Sequence, residues 1–176
     1  RGAMGLVYLA HDPRIDRPVA IKTIHALSMM PQEEAEEISR RFTREAQAAG
    51  RLQHPGIVTI FDVGEHEGTY FIAMEYIEGE TLEPFTKKEK LLPAETTLGL
   101  VAQACEALDY AHQQSIVHRD IKPANLMLVK GSRLKITDFG LAKDPQANLT
   151  HDGVLLGTPN YMSPEQIMGK ALDGRS

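Results

Sequence analysis

The chain has 176 residues, 42% apolar and 24% charged, with a formal net charge of -5, an ordinary balance for a soluble globular protein forming one domain or two small lobes. No basic stripe offsets the acidic balance, which argues against a general nucleic-acid binder, and the single cysteine, Cys105, excludes an internal disulfide framework and fits a reducing compartment. No apolar run approaches the roughly 20 residues that span a bilayer, and no signal-peptide pattern opens the chain. A cytoplasmic location is expected for this segment, with a membrane tether outside it left open. Both ends read as cut: the chain starts on Arg1-Gly2 inside a glycine-rich turn and stops at Asp173-Gly174-Arg175-Ser176.

Residues 1 to 10 read as a glycine turn entering a strand, with Leu6, Val7, Tyr8 and Leu9 as β-formers, and Asp12-Pro13 marks a turn. Val19-Ala20-Ile21-Lys22-Thr23-Ile24 is the next strand, since its β-branched residues cluster over a strand's length. Pro31 followed by Glu33, Glu34, Glu36 and Glu37 marks a helix start, with acids placed against the N-terminal dipole, and the helix is expected to reach about Leu52. Ile57 to Val63 and Thr69 to Tyr76 read as two strands joined by the polar turn from Gly64 to Gly68.

After Gly79 the character changes. Leu98, Val101, Ala102, Cys105 and Leu108 fall at offsets 0, 3, 4, 7 and 10, which predicts one buried helical stripe. Two short strands are expected at Leu126 to Val129 and Leu134 to Thr137. Residues 141 to 162 lack periodicity and form a long loop rich in hydroxyls; loops above about 12 residues in compact domains tend to be functional. A lobe boundary is expected near Ile77 to Gly79, separating a strand-rich part (residues 1–78) from a helix-rich one (79–176).

The chemistry concentrates in His118-Arg119-Asp120-Ile121-Lys122-Pro123-Ala124-Asn125, with Asp138-Phe139-Gly140 beginning 18 positions after Asp120. A carboxylate, a lysine, an amide and a second carboxylate suit phosphoryl transfer from a metal-bound nucleotide. That reaction needs a base near the incoming oxygen, cations on the phosphates and oxygen ligands for magnesium. Gly2-Ala3-Met4-Gly5-Leu6-Val7 lets backbone approach phosphates closely, although an ordinary hairpin turn reads the same way. Lys22, flanked by Val19, Ala20 and Ile21, lies in a strand that reads as buried, where an unpaired charge is costly. Glu33, Glu34, Glu36, Glu37 and Glu45 are its candidate partners.

These segments resemble the glycine-rich loop, strand lysine, catalytic loop and metal-binding motif of protein kinases, and the chain resembles the bacterial eukaryotic-like serine/threonine type over essentially its whole length. The resemblance implies an α+β, two-lobed protein-kinase-like fold: an N-terminal antiparallel sheet with one helix, and a mainly helical, incomplete C-terminal lobe. It implies Asp120 as the base that orients the substrate hydroxyl, Lys122 on the transferring phosphate, and Asn125 and Asp138 as metal ligands. Glu45 is implied as the helix partner of Lys22, and His118 as a structural residue under Phe139. Gly2, Gly5, Val7, Ala20, Lys22, Met74, Glu75, Ile77 and Met127 are implied for ATP binding, with Met74 to Ile77 as the hinge. ATP and Mg2+ are the implied cofactors, Mn2+ being an alternative metal.

Gly157-Thr158-Pro159-Asn160-Tyr161-Met162-Ser163-Pro164-Glu165 is similar to the family's G-T-x-x-Y-x-A-P-E segment, with Ser163 in place of alanine, a small change. Thr158 is implied as the platform threonine beside the catalytic aspartate and lysine. Arg119 before Asp120 suggests control by a loop phosphate, with Thr150 as the acceptor and Arg119 and Lys143 as its partners; an ordinary loop threonine is the plain alternative. Protein Ser/Thr substrates and autophosphorylation are expected, the latter allowing a homodimer. A pseudokinase or scaffold module and a small-molecule phosphotransferase of the same fold are the rival readings. Lys22, Asp120, Asn125 and Asp138 are all present against the first, and the segment from Gly157 to Glu165 stands against the second. Since the family's helical lobe extends further, the 176-residue piece alone is expected to be poorly stable and nearly inactive.

Overall fold

Two units emerge from the chain, Arg1–Gln53 with Val58–Ile77 and His54–Ile57 with Glu78–Ser176. The computed structural model describes residues 6–24, 32–139 and 159–176.

In the first unit β1 (Val7–Asp12), β2 (Arg17–Ile24), β3 (Ile60–His66) and β4 (Thr69–Glu75) form an antiparallel sheet in the order β1-β2-β4-β3. Residues directly opposite share a sheet face, so the register aligns Leu9, Ala20, Met74 and Ile60 in one row and Val7, Lys22, Ile72 and Val63 in another. Two rows apart by two residues lie on the same face. β3 and β4 are joined by Glu67-Gly68 alone, whose φ values of 50° and 72° give the backbone twist that two-residue hairpins prefer. The turn is thus shorter than the expected Gly64-to-Gly68 segment, because Gly64, Glu65 and His66 stay in register with Phe71, Tyr70 and Thr69.

The first helix, α1 (Gln32–Ala49), packs beside β3. Ser39, Phe42, Ala46 and Ala49 are buried, at spacings that place them on one helical face. The helix ends three residues short of Leu52, which is buried beyond it in a turn closed by Leu52 N–H on the Ala49 carbonyl (3.1 Å).

The strand expected from Ile57 begins only at Ile60. Ile57 instead bridges to Ile136, and the Ile136 N–H donates to the Gly56 carbonyl (2.8 Å). The cause is the turn that precedes it: Gly56 N–H donates to His54 Nδ1 (3.0 Å) and the His54 ring stacks on Tyr110 at 5.2 Å. A Cβ on Gly56 would lie 3.1 Å from the Ala107 Cβ, so glycine permits this close approach.

In the second unit β5 (Gly79–Thr81), β6 (Leu126–Val129) and β7 (Arg133–Ile136) form a small sheet in that order. Against β7 packs the second helix, α2 (Ala94–Gln113). Its predicted stripe is not the buried face: Leu98 is 69% and Val101 53% exposed, and Cys105 is exposed as well. Leu100, Ala107 and Ala111 are buried instead. Small side chains let the helix come close to the sheet, and the Gln103 amide locks the approach. It donates to the Ser132 carbonyl (3.0 Å) and accepts from the Leu134 N–H (2.9 Å). A short third helix is α3 (Pro164–Ile167). No helix among the described residues is long and apolar enough to cross a membrane.

Candidate active site

The segment between α2 and β6 is built around His118, which is 1% exposed. Its Nε2 lies 2.8 Å from the Thr137 carbonyl and its Nδ1 3.1 Å from the Asp120 N–H. A carbonyl only accepts and an N–H only donates, so the ring must be neutral with its proton on Nε2. The Phe139 ring covers it at 4.6 Å. Burial pushes the His118 pKa below its ordinary 6.5, although the Thr137 carbonyl and the charges of Asp120 and Asp138 pull the other way. The unfolded chain therefore binds a proton at this residue before the folded one does, and stability is lost as pH falls below 6.5. In urea titrations of the full-length protein from pH 7.5 to 5.5, His118→Gln should show a flatter dependence of midpoint on pH than the parent. Equal slopes would count against a buried neutral ring.

Around the carboxylate of Asp120 three of the predicted residues meet. Lys122 Nζ lies 2.9 Å from Asp120 Oδ2, both side chains being about three-quarters buried. Asn125 Nδ2 donates to the same Oδ2 (3.1 Å) and to the Asp120 carbonyl (2.8 Å). Pro123 opens a single 3-10 turn closed by the Asn125 N–H on the Lys122 carbonyl (2.9 Å), which brings Asn125 back toward Asp120. Thr137 then joins this loop to the next segment. Its N–H and hydroxyl both donate to the Asn125 carbonyl (2.9 and 3.3 Å), so Asp138 follows directly on a pinned residue. Arg119 and Asp138 have φ values of 67° and 63°, a left-handed conformation that costs non-glycine residues energy and is concentrated at functional sites.

Both hydrogens of the Asn125 amide are taken by Asp120, so the amide oxygen is the end that a cation would meet. The Asp138 carboxylate is the second oxygen donor that the sequence offers for an oxygen-only pair. Such a pair fits magnesium, which commonly takes one or two protein ligands and completes its shell with water and substrate phosphates. Among the described residues no cluster of three or more His, Cys, Asp or Glu could hold a metal unaided.

Val7, Ala20, Lys22, Met74, Glu75, Ile77 and Glu45 belong to the first unit. There Ala20 and Met74 are buried opposite one another, Lys22 is half-buried opposite Val7, and Val7 itself is 59% exposed. Glu45 sits half-buried on α1 at the edge of the Phe42–Ala46 face, whereas its neighbour Arg44 is exposed. The Glu75 backbone N–H donates to the Thr59 carbonyl (2.8 Å) and its carboxylate accepts from the Thr59 N–H (3.3 Å). Met127 is in β6 of the second unit. Gly2, Gly5, Thr150 and Thr158 lie outside the described residues.

Ser163, read from sequence as a small replacement, has a structural task. It caps α3: its hydroxyl accepts from the Gln166 N–H (3.3 Å) while Gln166 Oε1 accepts from the Ser163 N–H (3.0 Å). The same Gln166 amide donates to the Arg119 carbonyl (2.7 Å). The signal was present in the sequence as a capping-box pattern, Ser-Pro-Glu-Gln.

A carboxylate held by a lysine and an asparagine, followed by a second carboxylate in left-handed backbone, offers the kinds of group that phosphoryl transfer needs. Residues 1–176 match the protein kinase domain, and the chain belongs to that family. It is 43% identical to the serine/threonine-protein kinase PrkC of Bacillus subtilis over 96% of this chain and 26% of PrkC. Against the serine/threonine-protein kinase PknB of Mycobacterium leprae it is 40% identical over 99% of this chain and 28% of PknB. The chain thus spans about a quarter of the length of these curated relatives. Its fold is also that of PpkA-294 in the apo form, with a TM-score of 0.71 at 23% identity, covering 80% of this chain and 55% of that one.

Proposed function

We propose that this chain is the catalytic part of a serine/threonine protein kinase. The reading is carried by one observation: the Asp120 carboxylate is held by Lys122 at 2.9 Å and Asn125 at 3.1 Å, in a loop whose histidine is locked neutral. In the proposed reaction a Ser or Thr hydroxyl oxygen bonds to the γ-phosphorus of ATP. The bond from that phosphorus to the bridging oxygen breaks, ADP leaves, and the hydroxyl proton passes to Asp120. Lys122 offsets the charge of the base and of the phosphoryl oxygens near it. Asn125 and Asp138 are the proposed holders of magnesium, or of manganese in its place; the bound metal neutralises phosphate charge.

In the first unit, Lys22 is proposed to meet the nucleotide phosphates with Glu45 as its partner. Gly2, Gly5, Val7, Ala20, Met74, Glu75 and Ile77, with Met127 of the second unit, are proposed as nucleotide contacts. Residues 1–78 are proposed as an N-terminal lobe and residues 79–176 as part of a C-terminal lobe, a division from which the two units differ at His54–Ile57 and at Glu78, which group with the second unit. Thr158 is the proposed platform residue and Thr150 the proposed regulatory phosphosite. Protein substrates, autophosphorylation within a homodimer and a cytoplasmic place of action belong to the same reading.

The test is incubation of the full-length protein with γ-labelled ATP, magnesium and a mixture of proteins, followed by phosphoamino-acid analysis. Label on phosphoserine and phosphothreonine is expected. Nucleotide binding without transfer would favour the pseudokinase, and label on small molecules alone the small-molecule phosphotransferase.

A further inference from the structure

The peptide group between Arg119 and Asp120 is held at both ends. Its N–H, on Asp120, donates to His118 Nδ1 (3.1 Å), and its carbonyl, on Arg119, accepts from Gln166 Nε2 (2.7 Å). The first contact comes from the loop itself and the second from a residue 47 positions further on. Arg119 adopts a φ of 67°, a conformation that non-glycine residues keep only where surroundings over-determine it. A peptide plane in that state is free to rotate unless something holds it, and the plane leads straight into the Cα of the base.

We infer that Gln166 is a positioning residue for Asp120, an assignment that rests on the reading of Asp120 as the base. The Gln166 head group is divided between two tasks. Its oxygen completes the cap of α3 on the Ser163 N–H, and its nitrogen fixes the Arg119 carbonyl. Its backbone N–H, on the Ser163 hydroxyl at 3.3 Å, sets the distance of the head group from the helix start. The segment that carries α3 and the loop that carries the base are thereby joined through one amide. A shift of α3 along its axis would release the Arg119 carbonyl, and the direction of the Asp120 carboxylate would no longer be held from that side. Misplacement of a reacting group by about 1 Å costs on the order of 10²-fold in rate.

Two substitutions separate the tasks. Gln166→Glu keeps an oxygen for the Ser163 N–H, so the cap survives, but it has no proton for the Arg119 carbonyl and sets a carboxylate against it. Gln166→Lys keeps a donor for the Arg119 carbonyl and loses the cap acceptor. Both are measured in the full-length protein, beside Asp120→Asn, by steady-state kinetics with a protein substrate and by thermal melting. Gln166→Glu is expected to lower kcat at least about ten-fold, within the range that misplacement produces. Its KM for ATP and melting temperature should stay close to those of the parent, and Gln166→Lys should keep most of kcat. The inference is overturned if Gln166→Glu turns over like the parent while Asp120→Asn is inactive. It is equally overturned if Gln166→Lys loses as much kcat as Gln166→Glu, or if kcat and melting temperature fall together, since the role is then the cap alone. Full activity of Asp120→Asn would instead overturn the reading of the base and leave the role of Gln166 to be judged by its own two variants.

Discussion

Asp120→Asn is expected to lower kcat by about 10²- to 10⁴-fold, the usual worth of a positioned general base, while the KM for ATP changes little. Asparagine has the same shape as aspartate, and its amide oxygen can still accept from Lys122 and Asn125, so the loop should keep its geometry. What disappears is the charge. The side chain can no longer take up the hydroxyl proton, and the ion pair with Lys122, three-quarters buried at 2.9 Å, is replaced by an ammonium facing a neutral amide. A loss confined to kcat marks an interaction used in the transition state, whereas a loss confined to KM marks one used in ground-state binding. Steady-state kinetics of the full-length protein decide between these, and a kcat within ten-fold of the parent would remove Asp120 from the role of base.

Asp138→Asn should cost comparably, but by another route. Asparagine tolerates the left-handed backbone as readily as aspartate, so the φ of 63° at this position need not change and the substitution isolates the carboxylate charge. A unit charge near a cation is worth several kcal/mol even at an effective dielectric of about 20, and each 1.4 kcal/mol is about ten-fold in affinity. The magnesium concentration for half-maximal activity should therefore rise by about 10²-fold. Raising magnesium should restore part of the activity of Asp138→Asn and none of that of Asp120→Asn. An unchanged magnesium dependence would mean that Asp138 does not hold the metal.

Much of the site could be read from the sequence because its residues are close together along the chain. The single turn at Pro123–Asn125 is enough to return Asn125 to Asp120, while the roles given to these residues came from the resemblance to protein kinases. The α2 face could not be read this way. Leu98, Val101, Ala102, Cys105 and Leu108 have helical spacing, but so do Leu100, Ala107 and Ala111, and periodicity does not choose between two apolar faces. The choice is made by close approach to β7, which favours alanines, and by Gln103, whose partners Ser132 and Leu134 are about 30 residues away. Gln166 escaped notice for the same reason, since its bond to Arg119 spans 47 positions. Ile57 escaped as well, because its β-branched neighbours suit a strand, whereas its actual partner is Ile136.

That bridge has a consequence for how the molecule folds. The chain leaves the first unit after Gln53, contributes His54–Ile57 to the second, returns for β3 and β4, and leaves again after Ile77. Each unit is thus interrupted by a piece of the other. The contact between Ile57 and Ile136 closes a loop that contains the whole β3–β4 hairpin and α2, and closing long loops is entropically costly and slow. The small sheet of the second unit cannot acquire its last neighbour until a segment made much earlier on the ribosome arrives beside it. Thr137, the residue after β7, pins the Asn125 carbonyl, so the loop of the base also gains that support only once β7 has been made.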